Sequence, residues 1–173
     1  MRHDASTQWM APTLTTKRLR LRPIELGDYE KFAKFLASSR SELMGGPYKA
    51  RAAWGVFCHE IALWNLFGYG GLSIELQATG ECVGLVEIND GPLFPERELG
   101  WQVFQEHEGN GYITEAAQAY LHWAFEKRKL PTLVSYIDPE NSRSIAVAER
   151  LNGLLDHNAP KQDPEDLVYR YHP

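Results

Sequence analysis

The sequence predicts an α+β (mixed α/β) fold, a mixed and mostly antiparallel sheet of about seven strands flanked by about four helices. Strand-like runs at 71–76, 82–88 and 97–104 follow one another across Ala78-Thr79-Gly80 and Asp90-Gly91-Pro92, connections too short for a crossover and therefore the mark of an antiparallel meander. A glycine-punctuated turn then leads into a helical stretch and a further strand, the order expected of a parallel crossover. Two amphipathic stretches separate the first strand from the meander.

Taken in chain order, Leu19, Leu21 and Ile24 alternate with Arg18, Arg20 and Arg22 ahead of Pro23, as in a half-buried strand. Asp28 stands where it would cap a helix whose apolar face is Tyr29, Phe32, Phe35 and Leu36. Met44-Gly45-Gly46-Pro47 reads as a loop, and a second helix over about 50–66 carries Trp54, Phe57, Ile61 and Trp64 before Gly68, Gly70 and Gly71 end it. After the meander, a helix over 113–127 sets Ile113, Ala117, Tyr120, Leu121, Ala124 and Phe125 on one face and stops at Leu130-Pro131. A strand over 133–137 follows, then a short helix capped by Asn141 and ended by Asn152-Gly153, then two strands flanking the polar loop 158–166.

At 173 residues, 43% hydrophobic and 24% charged, the chain has the size and composition of one globular domain, expected over 14–173 behind a flexible segment at 1–13. A net charge of -5 and the absence of a dense basic stripe beyond Lys17, Arg18, Arg20 and Arg22 exclude a general nucleic-acid binder. Cys58 and Cys82 fit neither a metal spacing nor a disulfide framework, so no metal and a reducing compartment are expected. No apolar run nears the roughly 18 residues that span a bilayer, and 1–16 lacks a signal-peptide core, so a cytoplasmic protein without membrane partners is expected.

The most informative passage is Gln105-Glu106-His107-Glu108-Gly109-Asn110-Gly111-Tyr112, between a strand and a helix. Two glycines one residue apart permit a tight turn with bare amides, and the helix behind them offers unpaired N–H groups carrying partial positive charge. The combination suits an anion, in particular a phosphate. It lacks the lysine and following hydroxyl of a nucleotide-phosphate P-loop.

Four passages in order, Thr15-Thr16-Lys17-Arg18-Leu19-Arg20-Leu21-Arg22-Pro23, Glu98-Leu99-Gly100-Trp101, Glu108 through Ala116 and Asn141-Ser142-Arg143-Ser144, resemble the GCN5-related N-acetyltransferase (GNAT) superfamily. The nearest branch is that of the ribosomal-protein alanine acetyltransferases, and the resemblance covers about 14–153. It implies acetyl-coenzyme A (acetyl-CoA) as acyl donor and an amine as acceptor. By position, the amides of Gly109, Asn110, Gly111 and Tyr112 would hold the pyrophosphate, the backbone of Val103 and Phe104 would pair with pantetheine, and Asn141 and Ser144 would lie near the thioester.

Acetylating an amine requires removal of a proton, because an alkyl ammonium titrates near 10.4 and a peptide α-amine near 8. Glu98 is the first candidate base, by its resemblance to the glutamate serving histone-acetylating members; Glu87 is second and His107 third. The family tyrosine that protonates the leaving thiolate, seven residues after Asn141, is Ala148 here, which leaves Tyr136 or water for that step. The family's Gln or Arg three residues before the first glycine is Glu106, and Glu108 adds a second acid; both side chains are expected to face solvent, away from the diphosphate. Trp54 is a candidate acceptor contact, with His59 and Trp64 as core residues or pocket walls. The acceptor is a small-molecule amine or a protein N-terminus, a homodimer is possible through a sheet edge, and the competing reading is a non-catalytic acyl-CoA-binding sensor.

Overall fold

The computed structural model describes residues 10–161 and 163–173. Strands β1 (Leu14–Thr15), β2 (Leu19–Pro23), β3 (Gly71–Leu76), β4 (Cys82–Asn89), β5 (Glu98–Val103), β6 (Leu133–Ile137), β7 (Leu154–Leu155) and β8 (Leu167–Tyr171) form one sheet in the order β1-β2-β3-β4-β5-β6-β8-β7. All neighbours are antiparallel except β5 and β6. Helices α1 (Tyr29–Leu36), α2 (Ala50–Phe67), α3 (Tyr112–Glu126) and α4 (Ser142–Arg150) complete the expected mixed architecture. The strand beyond the expected seven is β1, whose two residues are too few to leave a periodic signal. Of the segment expected to be flexible, 1–9 lies outside the described residues and 10–13 forms neither helix nor strand. No helix among the described residues is long and apolar enough to cross a membrane.

Strand alternation decides what each face of the sheet carries. Leu72, Ile74, Val86, Ile88 and Leu99 pack with Ile113, Ala116, Ala117, Tyr120, Leu121 and Ala124 of α3. Each fully buried large apolar side chain here contributes about 1.5–3 kcal/mol. The same pleat turns Ser73, Glu75, Glu87, Asn89, Glu98 and Gln102 to the opposite face. There Phe32, Phe35 and Leu36 of α1 and Ala53 and Phe57 of α2 pack on Leu85 and Phe104. Most of this second face is therefore polar yet roofed by helices.

Asp28 departs from its expected role. It precedes α1 but its carboxylate makes no cap bond to that helix. It accepts instead from Arg22 at 2.8 Å, from Ser73 Oγ at 2.6 Å and from the Glu25 amide at 3.0 Å, so it ties β2 to β3 beneath α1. Burial alone would raise its pKa; the bonds from Arg22, Glu25 and Ser73 outweigh that and hold it below the ordinary carboxylate range.

The parallel pair β5 and β6 meets at a single register position, Glu98 opposite Val134. One residue further on, Ser135 Oγ donates to the Leu99 carbonyl at 2.5 Å, occupying an acceptor that a continuing ladder would have used. Beyond it the strands part.

Candidate active site

The Phe104 amide donates to the Val83 carbonyl at 2.9 Å, which fixes the alternation along β5. Gln102, Gly100 and Glu98 direct their backbone groups toward β4, whereas Trp101 and Val103 direct theirs toward the gap left by β6. Val103 thus presents free backbone groups where a pantetheine arm was expected. Phe104 does not: its amide is taken by Val83, its carbonyl accepts from the His107 amide at 2.9 Å, and its ring is buried against Phe35. Trp101 turns its backbone to the gap in its place, since the bonding alternation runs with period two.

At the glycine turn, Gly109 and Gly111 adopt φ of 74° and 73°, the left-handed region that glycine enters without penalty. A Cβ at Gly109 would meet open space, and one at Gly111 only the Arg18 guanidinium at 3.6 Å. Among the described residues, no acceptor faces the amides of 109–114; the first amide taken is that of Glu115, by the Gly111 carbonyl at 3.2 Å. Open space and unpaired donors at a helix N-terminus suit a diphosphate.

A groove of about 1040 Å³ runs from this turn along β5 between α3 and α4. Arg40, Arg143 and Arg150 line it. Glu106 is exposed, as expected, but Glu108 is half-buried and pairs with Arg40 and, at 3.1 Å, with Arg143. The expectation that Glu108 faces solvent fails because two guanidinium groups from distant segments converge on it. With three arginines against Glu108 and Glu115, the groove keeps a positive balance suited to an anion. Across the turn, Arg18 donates to the Asn110 carbonyl at 2.9 Å, pairs with Glu115 at 2.7 Å and lies 4.8 Å from the Tyr112 ring centroid.

A second cavity of about 510 Å³ lies on the polar face of the sheet, under α2. It meets the first at Leu43, Met44, Trp101, Gln102, Asn141 and Ser144, where β5 and β6 part. Asn141 caps α4 by accepting from the Ser144 amide at 3.2 Å, and Ser144 Oγ accepts from Trp101 Nε1 at 3.3 Å. Both residues stand at the junction of the cavities.

Glu87, Glu98 and Tyr136 all line this second cavity. Glu98, half-buried, has its pKa pushed up to about 7 by burial, opposed by hydrogen bonds from Asn89 and the Tyr136 amide. Burial and the nearby Glu98 raise Glu87 further, to about 8. Tyr136 receives the Glu96 amide on its hydroxyl at 3.1 Å, and burial lifts its pKa to about 12, so it keeps its proton. His107 lines the groove instead, 3.4 Å from Glu81.

Trp54 contacts neither cavity. It is 45% exposed, edge-on to Tyr29 and stacked on Phe57, because it follows the buried Ala53 by one position and so stands about 100° around α2 from the inward face. Trp64 is core and donates to the Gly71 carbonyl at 2.9 Å. His59 lines the second cavity, stacked on Phe94. Ala148, where the family tyrosine would stand, is buried in the main core.

The residue missed in the sequence is Glu60, 3% exposed in α2 and lining the same cavity. Burial, then Glu87 and Glu98, raise its pKa well above the usual range. A sequence signal existed: it is the one acid within Trp54-Gly55-Val56-Phe57-Cys58-His59-Glu60-Ile61-Ala62-Leu63-Trp64, three residues from both Phe57 and Leu63 and so on their inward face.

A model of the acetyltransferase (GNAT) domain matches residues 18–153. The chain belongs to the GNAT acetyltransferase family. It is therefore an N-acetyltransferase enzyme, and the sheet that splits between β5 and β6 is the GNAT fold. An acetyltransferase from Agrobacterium tumefaciens str. C58 is 54% identical, with a TM-score of 0.93 and 100% of both chains covered. The uncharacterised N-acetyltransferase YnaD of Bacillus subtilis (strain 168) is 33% identical over 144 residues, 80% of each chain. A ribosomal alpha-N-protein acetyltransferase solved in complex with coenzyme A shares the fold at 18% identity and a TM-score of 0.73, with 93% of this chain and 98% of that one covered.

Proposed function

We propose that this GNAT enzyme transfers the acetyl group of acetyl-CoA directly to a primary amine, of a small molecule or a protein N-terminus, with Glu98 as a water-assisted general base. The observation that carries the reading is the junction of the two cavities: a groove with unpartnered amides at one end opens, beside Trp101 and Ser144, onto a chamber holding Glu98. The relative solved with coenzyme A supports the choice of donor.

Acetyl-CoA supplies an activated acyl group on a thioester. The amides of Gly109, Asn110, Gly111 and Tyr112, with the arginines of the groove, bind its diphosphate. The edge of β5 at Trp101 and Val103 orients the arm, and an N–H on that edge meets the carbonyl oxygen as charge develops there. Glu98, ionised above pH about 7, removes the proton that the amine loses as its nitrogen bonds to the acyl carbon. The C–S bond breaks, and the Tyr136 hydroxyl or water returns a proton to the thiolate, whose conjugate acid resembles a cysteine thiol at about 8.5.

Thiol release from acetyl-CoA, measured across a panel of primary amines, tests the reading. Amine-dependent release with an acetylated amine in the mass spectrum is expected. Release that does not depend on any amine, with coenzyme A bound tightly, would remove it.

A further inference from the structure

Resting on that transferase reading, we propose that the acceptor is a small aliphatic amine bearing a second cationic group, with Glu60 binding the second charge while Glu98 faces the reacting nitrogen. The chamber is lined by Glu60, Glu87, Glu98 and Asp138, and among the described residues no lysine or arginine lines it. Glu60 and Glu87 are 3% and 4% exposed, and Oε2 of each lacks a hydrogen-bond partner.

An independent neutral group gives the same signal. Gln102, 5% exposed, donates Nε2 to Glu87 Oε1 at 3.3 Å, and this bond orients its amide. Its Oε1 is left buried and unpartnered in the same chamber. Unmet buried acceptors are costly, and here the orphaned oxygens of three side chains call for a ligand that donates. Ammonium groups donate, and their charge favours the ionised form of carboxyls that burial and mutual repulsion otherwise keep protonated. A peptide N-terminus would bring carbonyl oxygens against a wall already rich in acceptors. A metal ion is disfavoured by geometry, since among the described residues no three His, Cys, Asp or Glu side chains are grouped to hold one.

The carboxyls are spaced by the sheet. Glu87 stands opposite Gly71 on β3 and Gly100 on β5. A Cβ at Gly71 would come 2.8 Å from the Glu60 Cβ, and one at Gly100 would come 2.8 Å from Glu87 Oε1. Glycine on both sides thus makes room for the acids. Glu60 lies over β3 and Glu98 on β5, with β4 and Glu87 between them. Met44, Val56, Leu93 and Phe94 supply apolar wall for the methylenes of a linear dication between them.

Calorimetric titration of the coenzyme A-bound protein with α,ω-diamines of increasing length, matched primary monoamines and a short peptide with a free N-terminus tests the assignment. The best diamine should bind roughly 10-fold or more tightly than its monoamine, the least expected of one charge-assisted bond in a buried site. Glu60→Gln should bring that ratio close to one. Equal binding of diamine and monoamine by the wild type, tighter binding of the peptide, or an undiminished ratio in a folded Glu60→Gln overturns the proposal. The wild-type ratio decides alone if the variant does not fold. Binding is read without turnover, so a protein that prefers diamines but releases no thiol loses the transferase mechanism and keeps this site. One that acetylates amines while binding diamines no better than monoamines loses this site and keeps the mechanism.

Discussion

Asn89 and Glu98 face each other directly across β4 and β5, and Asn89 Nδ2 donates to Glu98 Oε2 at 3.1 Å. The bond holds the carboxyl in one orientation at the edge of the chamber and moderates the rise in pKa that burial imposes. Glu98 therefore titrates close to neutrality, where a base can both exist as carboxylate and accept a proton.

Replacing Glu98 with Gln keeps the shape and removes the proposed base. Turnover should fall about 100-fold or more, within the usual range for general acid–base catalysis. Coenzyme A affinity, measured by calorimetry, should hold because the turn proposed to bind the diphosphate is separate. In the wild type, kcat/KM should decline as pH falls through about 7, where Glu98 gains its proton. That limb should vanish in Glu98→Gln; its persistence would assign the ionisation to another group.

Gly111 tests the proposed diphosphate site. Its φ of 73° would cost a β-branched residue about 1–2 kcal/mol, and a side chain there would stand where the diphosphate is proposed to approach. Gly111→Val should weaken coenzyme A binding at least about 10-fold, equivalent to about 1.4 kcal/mol. Affinity equal to wild type in a folded variant would show that the ligand does not contact this turn.

Arg22 bridges Asp28 at 2.8 Å and Glu75 at 2.6 Å, with only 14% of its side chain exposed. Arg22→Met would leave buried Asp28 without a cationic partner and Glu75 with Arg20 alone, and should lower stability by about 3–5 kcal/mol in denaturant titration. Arg20 pairs with the same Glu75 from a side chain that is 51% exposed, so Arg20→Met should cost no more than about 1 kcal/mol. Similar losses in the two variants would contradict the burial argument.

Local signals were the most legible. The glycine pair, the start of α3 and the Asn141 cap follow from φ preference, apolar period and side-chain reach over a few residues, and each lies where the sequence puts it. Helical spacing groups Trp54 with core residues, yet it follows the buried Ala53 by one position, about 100° around α2, and reaches solvent rather than core or pocket. Asp28 misled for another reason: a cap is a local inference, and its carboxylate was claimed by Arg22 and Ser73 from two strands.

The sequence by itself determined the order of elements, the mixed sheet and the diphosphate-suited turn, because each depends on residues close together in the chain. Tertiary structure alone decided that Glu60, Glu87 and Glu98 share one chamber, that Glu108 is held between Arg40 and Arg143, and that Trp101 rather than Phe104 presents its backbone to the gap. The physical reason is that burial, charge pairing and strand register are properties of groups brought together across the sheet. A carboxyl's neighbours there, unlike its helix or strand, are set by segments far away in sequence.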